Sequence, residues 1–255
     1  MAVLSTQALG AGLFALALAL LGRWPLFSWS QLPLGILLAV VALTSLLLLY
    51  RALALGPIAV VSPIGGAYVA VAVILIVVSL GERLTAGQSA AIALAALGVV
   101  LTAADGRSVG RFLARPSLGV WLALAAMVGS GGWAALMAHA SRVQDGFATI
   151  LLQRGLTVVI LLVIFVAVRR NVRTPINSAT VALIAVTGTC DTLANVLYVL
   201  GVQSGLASIV ATASGAYPVV PALLAITVQG ERMAPNQYLG MGVLTAGLVG
   251  LAIVS

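Results

Sequence analysis

Long apolar runs joined by short polar connections make up almost the whole sequence. Each run has about 20 residues, enough for a helix rising about 1.5 Å per residue to cross a hydrocarbon layer of about 30 Å. Helices are expected because backbone polar groups in lipid must bond within their own segment, and the strict alternation of a membrane β-barrel strand is absent. The pattern predicts nine transmembrane helices, at 3–22, 32–50, 56–80, 86–104, 117–140, 147–168, 178–201, 206–229 and 235–254.

The chain contains an internal repeat, because residues 65–88 are written a second time at 214–237. The two copies share nine identical positions at a constant offset of 149, including a Gly-Ala-Tyr and a Gly-Glu-Arg. They lie in the third and eighth predicted helices, and an odd number of crossings between them reverses their direction. Inverted repeats are a recurring plan of secondary transporters, in which the pocket lies between the repeats near the middle of the membrane.

Composition supports the same class of protein. The chain is 62% hydrophobic and 7% charged with a mean hydropathy of +1.23, whereas charged residues make up roughly a quarter of a soluble domain. The net charge of +7 comes from arginines, which membrane topology explains better than nucleic-acid binding. Residues 1–7 carry no charged side chain, so the first apolar run is predicted to be a retained helix and not a signal peptide.

A family resemblance is carried by motifs at and beside the repeat: Tyr50-Arg51-Ala52-Leu53, Pro63, Gly81-Glu82-Arg83-Leu84, Gly98, the second Gly-Glu-Arg and Gly247. With these motifs the chain resembles the EamA type of the drug/metabolite transporter superfamily. The resemblance implies two EamA units, here 1–104 and 117–254 with an Arg-containing linker at 105–116, that move small metabolites across the bacterial inner membrane. Four predicted helices precede the linker and five follow it, so the first unit is expected to lack its opening helix.

A polar stripe on the seventh predicted helix is the first candidate site. Thr187, Asp191, Asn195 and Tyr198 are spaced i, i+4, i+8 and i+11, which places them on one helix face. An ionisable residue at depth in a membrane is a functional candidate by default, and structural hydrogen bonding between helices is the alternative. We predict that the stripe lines a cavity in which Asp191 contacts substrate or a proton.

Three further side chains are candidates for the same pocket. Arg154 matches the recurrent arginine early in the second helix of an EamA unit, and it either extends to the interface or turns inward to pair with Asp191. Tyr68 and Tyr217 are equivalent repeat positions beside Gly-Ala pairs, where small residues allow close approach and a phenol can reach a pocket. Core packing is the alternative for both tyrosines.

Prolines and the two Gly-Glu-Arg turns complete the set of features. Each of three prolines removes a helix hydrogen bond, which predicts bent helices that line a cavity: Pro63, Pro218 and Pro221. A kink without functional consequence is the alternative. Glu82 and Glu231 are each expected to pair with the neighbouring arginine at the membrane interface.

Enzymatic chemistry is not expected. Ser130 and His139 are nine residues apart, so about 100° per residue puts them on opposite sides of one helix, out of hydrogen-bond reach. Asp191 is the one acidic residue at depth, which excludes a carboxylate cluster for Mg²⁺. One Cys and one His exclude a Cys/His metal site, and phosphate-binding loops are absent. We therefore expect no catalytic residues, metal or cofactor.

Two functions fit these features. The first is a secondary transporter or facilitator, predicted to export an amino acid or related compound through a pocket between the repeats. The second is a non-transporting membrane scaffold or an inactive relic of the family, which the expected absence of one helix makes plausible. The sequence leaves the substrate, direction, coupling ion and oligomeric state open.

Membrane orientation follows from the arginines. Eight of them fall on the side of the amino terminus and three on the opposite side, so the positive-inside rule predicts a cytoplasmic amino terminus and an external carboxyl terminus. The family resemblance implies the reverse, since ten-helix members have both termini inside. We favour the arginines, because they act on this chain during insertion.

Overall fold

The computed structural model describes residues 2–20, 22, 28–56, 61, 64–103, 118–168, 178–215 and 234–254. Within these ranges the regular elements are nine α-helices and a short 3-10 helix, Trp29–Gln31. The α-helices are α1 (Ala2–Leu20), α2 (Leu32–Leu55), α3 (Tyr68–Leu80), α4 (Ala86–Ala103), α5 (Leu118–Val143), α6 (Gly146–Val168), α7 (Ser178–Ser204), α8 (Ala207–Ser214) and α9 (Pro235–Val254).

The predicted all-α membrane bundle is confirmed. Five helices of the described residues are long and apolar enough to cross a membrane. Three shorter apolar stretches coincide with α1, α3 and α4, at Leu4–Leu20, Ile64–Leu80 and Ala86–Thr102. Of the predicted helix at 56–80 the structure describes 56, 61 and 64–80, and of the predicted helix at 206–229 it describes 206–215.

Some helices end later than the sequence predicted. We expected α2 to end before Arg51, but it continues to Leu55 and stops at Gly56. The residues between are alanine and leucine, which are strong helix formers, whereas glycine is a poor one. Likewise α5 continues to Val143 and ends just before Asp145. Oδ1 of Asp145 accepts the N–H groups of Phe147 (2.9 Å) and Ala148 (3.3 Å). Asp145 therefore caps the start of α6, and the turn that it forms separates the two helices.

The described chain divides into two compact units. The first contains Met1–Val40 and Ala140–Ser204, and the second contains Val41–His139 and Gly205–Ser255. Each unit therefore combines segments from both halves of the sequence. The boundaries of the two repeats in the sequence, 1–104 and 117–254, remain a prediction.

In the second unit, α4 and α9 pack closely along glycines. A Cβ added at Gly98 would overlap the main chain of Leu244, and one at Gly247 would lie 2.5 Å from the Ala95 nitrogen. The repeat offset of 149 converts Gly98 to Gly247 and Ala95 to Leu244, so these two contacts are equivalent. As residue numbers increase along α4, the numbers of the contacting residues on α9 decrease. The contacts are Ala91 with Gly250, Ala95 with Gly247, Gly98 with Leu244 and Thr102 with Gly240. The helices are thus antiparallel, as inverted repeats require.

Candidate functional site

The first unit contains an ion pair in the middle of a membrane-spanning helix. Asp191 has thirteen residues of α7 on either side, which places it about 20 Å from each helix end. Its Oδ2 accepts a hydrogen bond of 2.8 Å from Nη2 of Arg154 on α6. The Arg154 side chain is 3% exposed and that of Asp191 is 42% exposed. Of the two alternatives for Arg154, the structure has the inward one.

Gln7 on α1 is a member of this cluster that sequence reasoning missed. Nη1 of Arg154 donates a hydrogen bond of 3.2 Å to Oε1 of Gln7. Residues of α1, α6 and α7 therefore meet at one guanidinium. The available signal was a single amide side chain within the apolar α1 segment, since a polar group at depth needs a partner.

Small residues make room for the cluster where α1 crosses α7. A Cβ at Gly10 would lie 2.5 Å from Oγ1 of Thr192 and 3.0 Å from Nη1 of Arg154, and one at Gly188 would lie 2.9 Å from the Thr6 carbonyl oxygen. Close backbone approach through small residues is the usual way in which membrane helices associate. Gly10 therefore sets the space in which the guanidinium lies.

We expect Gly10→Ala to destabilise the protein by about 1–3 kcal/mol, because the added methyl group must displace Thr192 or Arg154. The measurement is thermal unfolding in detergent. Gly12→Ala is the matched control on the same helix, since a Cβ at Gly12 has no neighbour within 4 Å. Equal melting temperatures for the two variants would contradict this description of the crossing.

The predicted stripe on α7 changes from exposed to buried along the helix. Thr187 is exposed, Asp191 and Asn195 are intermediate, and Tyr198 is buried. Nδ2 of Asn195 donates to the main-chain oxygen of Asp191 at 2.8 Å, so that amide is used within the helix. Asp191 is consequently the member of the stripe with both a charge and an accessible side chain.

Tyr68 belongs to the second unit and begins α3. It is partly buried and packs against a cluster of Val69, Val73, Ala91, Ile92 and Leu251. This packing favours the core alternative for Tyr68. Four other candidates, Tyr217, Pro63, Pro218 and Pro221, lie outside the described residues.

Glu82 has a different role from the predicted one. Its buried carboxylate, in a residue 8% exposed, accepts the N–H of Ala207 (2.7 Å), the N–H of Ser208 (3.1 Å) and the hydroxyl of Ser208 (2.6 Å). These groups open α8, whose N-cap residue Leu206 provides no side-chain cap. The interpretation as an interfacial pair with Arg83, which is exposed, is wrong: Glu82 caps a helix 125 residues away.

An apolar groove of about 720 Å³ lies in the first unit, lined mainly by Leu13, Phe14, Leu18, Leu193 and Val196. Thr189 and Thr192 also line it, but their hydroxyls donate to the main-chain oxygens of Ala185 and Gly188 within α7. At about 100° per residue, the groove positions on α7 are on a different face from Asp191 and Asn195. The groove and the polar stripe are therefore separate features.

Metal-binding residues do not cluster in the part of the chain that the structure describes: no three His, Cys, Asp or Glu side chains there come together. The ion pair is thus the candidate site of the described residues. An accessible carboxylate supported by a buried guanidinium can recognise a charged group.

Comparison with known proteins matches the chain to a family model and to solved structures. The model of the EamA-like transporter family matches residues 1–104 and 117–253. A solved structure, described only as "Crystal structure of protein", matches 100% of this chain and 88% of its own chain with a TM-score of 0.80 and 16% sequence identity. At that identity the likeness shows the fold. No curated protein matches the sequence.

Proposed function

The chain belongs to the EamA-like transporter family, and from this premise we propose that it is a secondary transporter or facilitator that exports a small metabolite across the bacterial inner membrane. The proposed substrate is an amino acid or a related compound. Membership in a family of membrane transporters supports transport in general, and the substrate, direction and pocket are our proposal.

The observation that carries the proposal is the 2.8 Å ion pair of Arg154 and Asp191. Charged groups in the middle of a membrane-spanning helix are costly, and they are found where they face a pathway or a partner. A pair that served only to join α6 and α7 would be expected to bury both partners. The 42% exposure of the Asp191 side chain leaves the carboxylate accessible, as a substrate or proton contact requires.

The remaining stripe residues share a helix face with Asp191. We propose that Thr187, Asn195 and Tyr198 line the substrate path with Asp191, and that Arg154 holds the carboxylate in place. The packing of Tyr68 supports its core alternative, so we do not place it on this path. Substrate contact by Tyr217 and helix bending by Pro63, Pro218 and Pro221 stay predictions from the sequence. Protonation of Asp191 would provide coupling to a proton gradient.

We expect Asp191→Asn to lower transport at least tenfold, because it removes the charge and keeps the shape. The test is efflux of a panel of amino acids and related metabolites from overexpressing cells, followed by uptake into proteoliposomes. Asp145→Asn is the matched control, because Asp145 is exposed and asparagine is an equally good helix cap.

A second variant keeps this test independent of folding. Asp191→Asn alone leaves the buried Arg154 without its counter-ion, which can cost about 3–5 kcal/mol. Arg154→Gln combined with Asp191→Asn removes both charges and should restore stability while transport stays low. Wild-type transport by either variant would refute the role of Asp191. A wild-type protein that moves no solute of the panel would favour the non-transporting scaffold.

A further inference from the structure

The guanidinium of Arg154 divides its hydrogen bonds between two helices. Arginine commonly binds one carboxylate through two parallel N–H···O bonds, but here Nη2 donates to Oδ2 of Asp191 and Nη1 donates to Oε1 of Gln7. Among the described residues, Oδ1 of Asp191 receives no hydrogen bond. The carboxylate is therefore held by one oxygen and open at the other.

We propose that Gln7 is a positioning and specificity-determining residue of the transport site. By drawing Nη1 toward itself, Gln7 holds the guanidinium in the orientation in which only Nη2 donates to Asp191, and it thereby keeps Oδ1 available to a ligand. This inference rests on the proposed function, because it concerns what Asp191 binds. It adds a residue of α1 to the site of Arg154 on α6 and Asp191 on α7.

Gln7 also contributes a donor of its own. Because its Oε1 accepts from Arg154, the orientation of the amide is fixed and its Nε2 keeps two N–H donors for other partners. Gln7 is only partly buried, and no hydrogen bond from Nε2 occurs among the described residues. Gln7 and Asp191 are bound to neighbouring nitrogens of one planar guanidinium, so they lie side by side. Together they suit a ligand that carries an ammonium group next to a carbonyl or carboxylate oxygen.

Two substitutions at Gln7 test the positioning role in opposite directions. The readout is modification of Asp191 by dicyclohexylcarbodiimide in the purified protein, measured by mass spectrometry of the peptide. Gln7→Leu should lower modification roughly tenfold, the factor for one additional charge-assisted hydrogen bond, because Arg154 then binds both oxygens of Asp191. Gln7→Glu should raise it by a similar factor, because the new carboxylate draws the guanidinium away.

The donor role is tested by ligand protection. In the wild-type protein an amino acid should protect Asp191 from the carbodiimide better than the amine that lacks its carboxylate. In Gln7→Glu this advantage should disappear, because the N–H donors are gone and the glutamate repels the ligand carboxylate. An advantage that persists in this variant would overturn the donor role.

Controls separate this inference from a structural role and from the proposed function. Ser5→Leu, at an exposed position of α1, should leave the modification of Asp191 unchanged, and Asp145 serves as the internal reference. A structural role for Gln7 would loosen the site in both variants and raise modification in both; changes in the same direction would overturn the positioning role. Opposite changes in a protein that transports nothing would instead refute the proposed function and leave the geometry intact.

Discussion

Gly98→Ala is expected to lower the free energy of unfolding by about 3 kcal/mol, the upper part of the range for overpacked cores. The added Cβ would overlap the main-chain nitrogen and Cα of Leu244, which cannot rotate away as a side-chain end can. The helices α4 and α9 must therefore move apart. That movement also opens the cluster in which Ala95, Val99 and Leu244 are buried.

A control position on α9 and the equivalent glycine of the second repeat both test this prediction. Gly242→Ala on α9 meets no atom within 4 Å, so it should be neutral or gain about 0.5–1 kcal/mol from the higher helix propensity of alanine. Gly247→Ala should be as damaging as Gly98→Ala, because the two positions are equivalent. Tryptophan fluorescence is the suitable probe of unfolding, since the exposed Cys190 would react with a thiol dye in the folded protein. Equal stability of Gly98→Ala and Gly242→Ala would refute the close contact.

Glu82→Ala is expected to lower the free energy of unfolding by about 3–5 kcal/mol. The substitution leaves two buried N–H groups of α8 without their acceptor, and it removes a negative charge from a helix amino terminus. Thermal unfolding and the yield of monodisperse protein in detergent measure this loss. Glu82→Gln should cost less, since one amide oxygen can still accept.

Two variants control for the surroundings of Glu82. Arg83→Ala, at the exposed neighbour, should change stability by less than about 0.5 kcal/mol. Ser208→Ala removes only the hydroxyl donor and should cost about 1 kcal/mol. If Arg83→Ala lowered stability as much as Glu82→Ala, the pairing of Glu82 with Arg83 predicted from the sequence would be correct, and the capping role of Glu82 would be contradicted.

The helices and the inverted repeat could be predicted because they depend on local sequence. Apolar runs of membrane-spanning length determine where helices form, and the offset of 149 between Gly98 and Gly247 anticipates the antiparallel α4 and α9 contact. Helix ends were harder, because a charged residue such as Arg51 does not stop a helix, whereas Gly56 does. The end of α5 was missed for the same reason.

The site was predictable only in part, since its partners come from distant segments. Spacing on α7 singled out Asp191, and depth singled out Arg154 but left two directions open for its side chain. Gln7 is 147 residues from Arg154 and Glu82 is 125 residues from Ala207, so no local pattern connects them. Tyr68 was ambiguous because a tyrosine in an apolar helix is equally suited to a pocket and to a core.

The first unit is built from two segments that are far apart in the sequence, Met1–Val40 and Ala140–Ser204, and this has a consequence for biosynthesis. Its α1 is made first, yet its partners are α6 and α7, and Asp191 follows Gln7 by 184 residues. At a translation rate of about 5–20 residues per second, on the order of ten seconds or more pass between the synthesis of Gln7 and that of Asp191. For the first 147 residues of that stretch Arg154 is not yet synthesised, so the amide of Gln7 has no guanidinium beside it. A chaperone or insertase that shelters polar groups of early helices would therefore act on α1 in particular, and nascent chains arrested before α6 should be the ones that it holds.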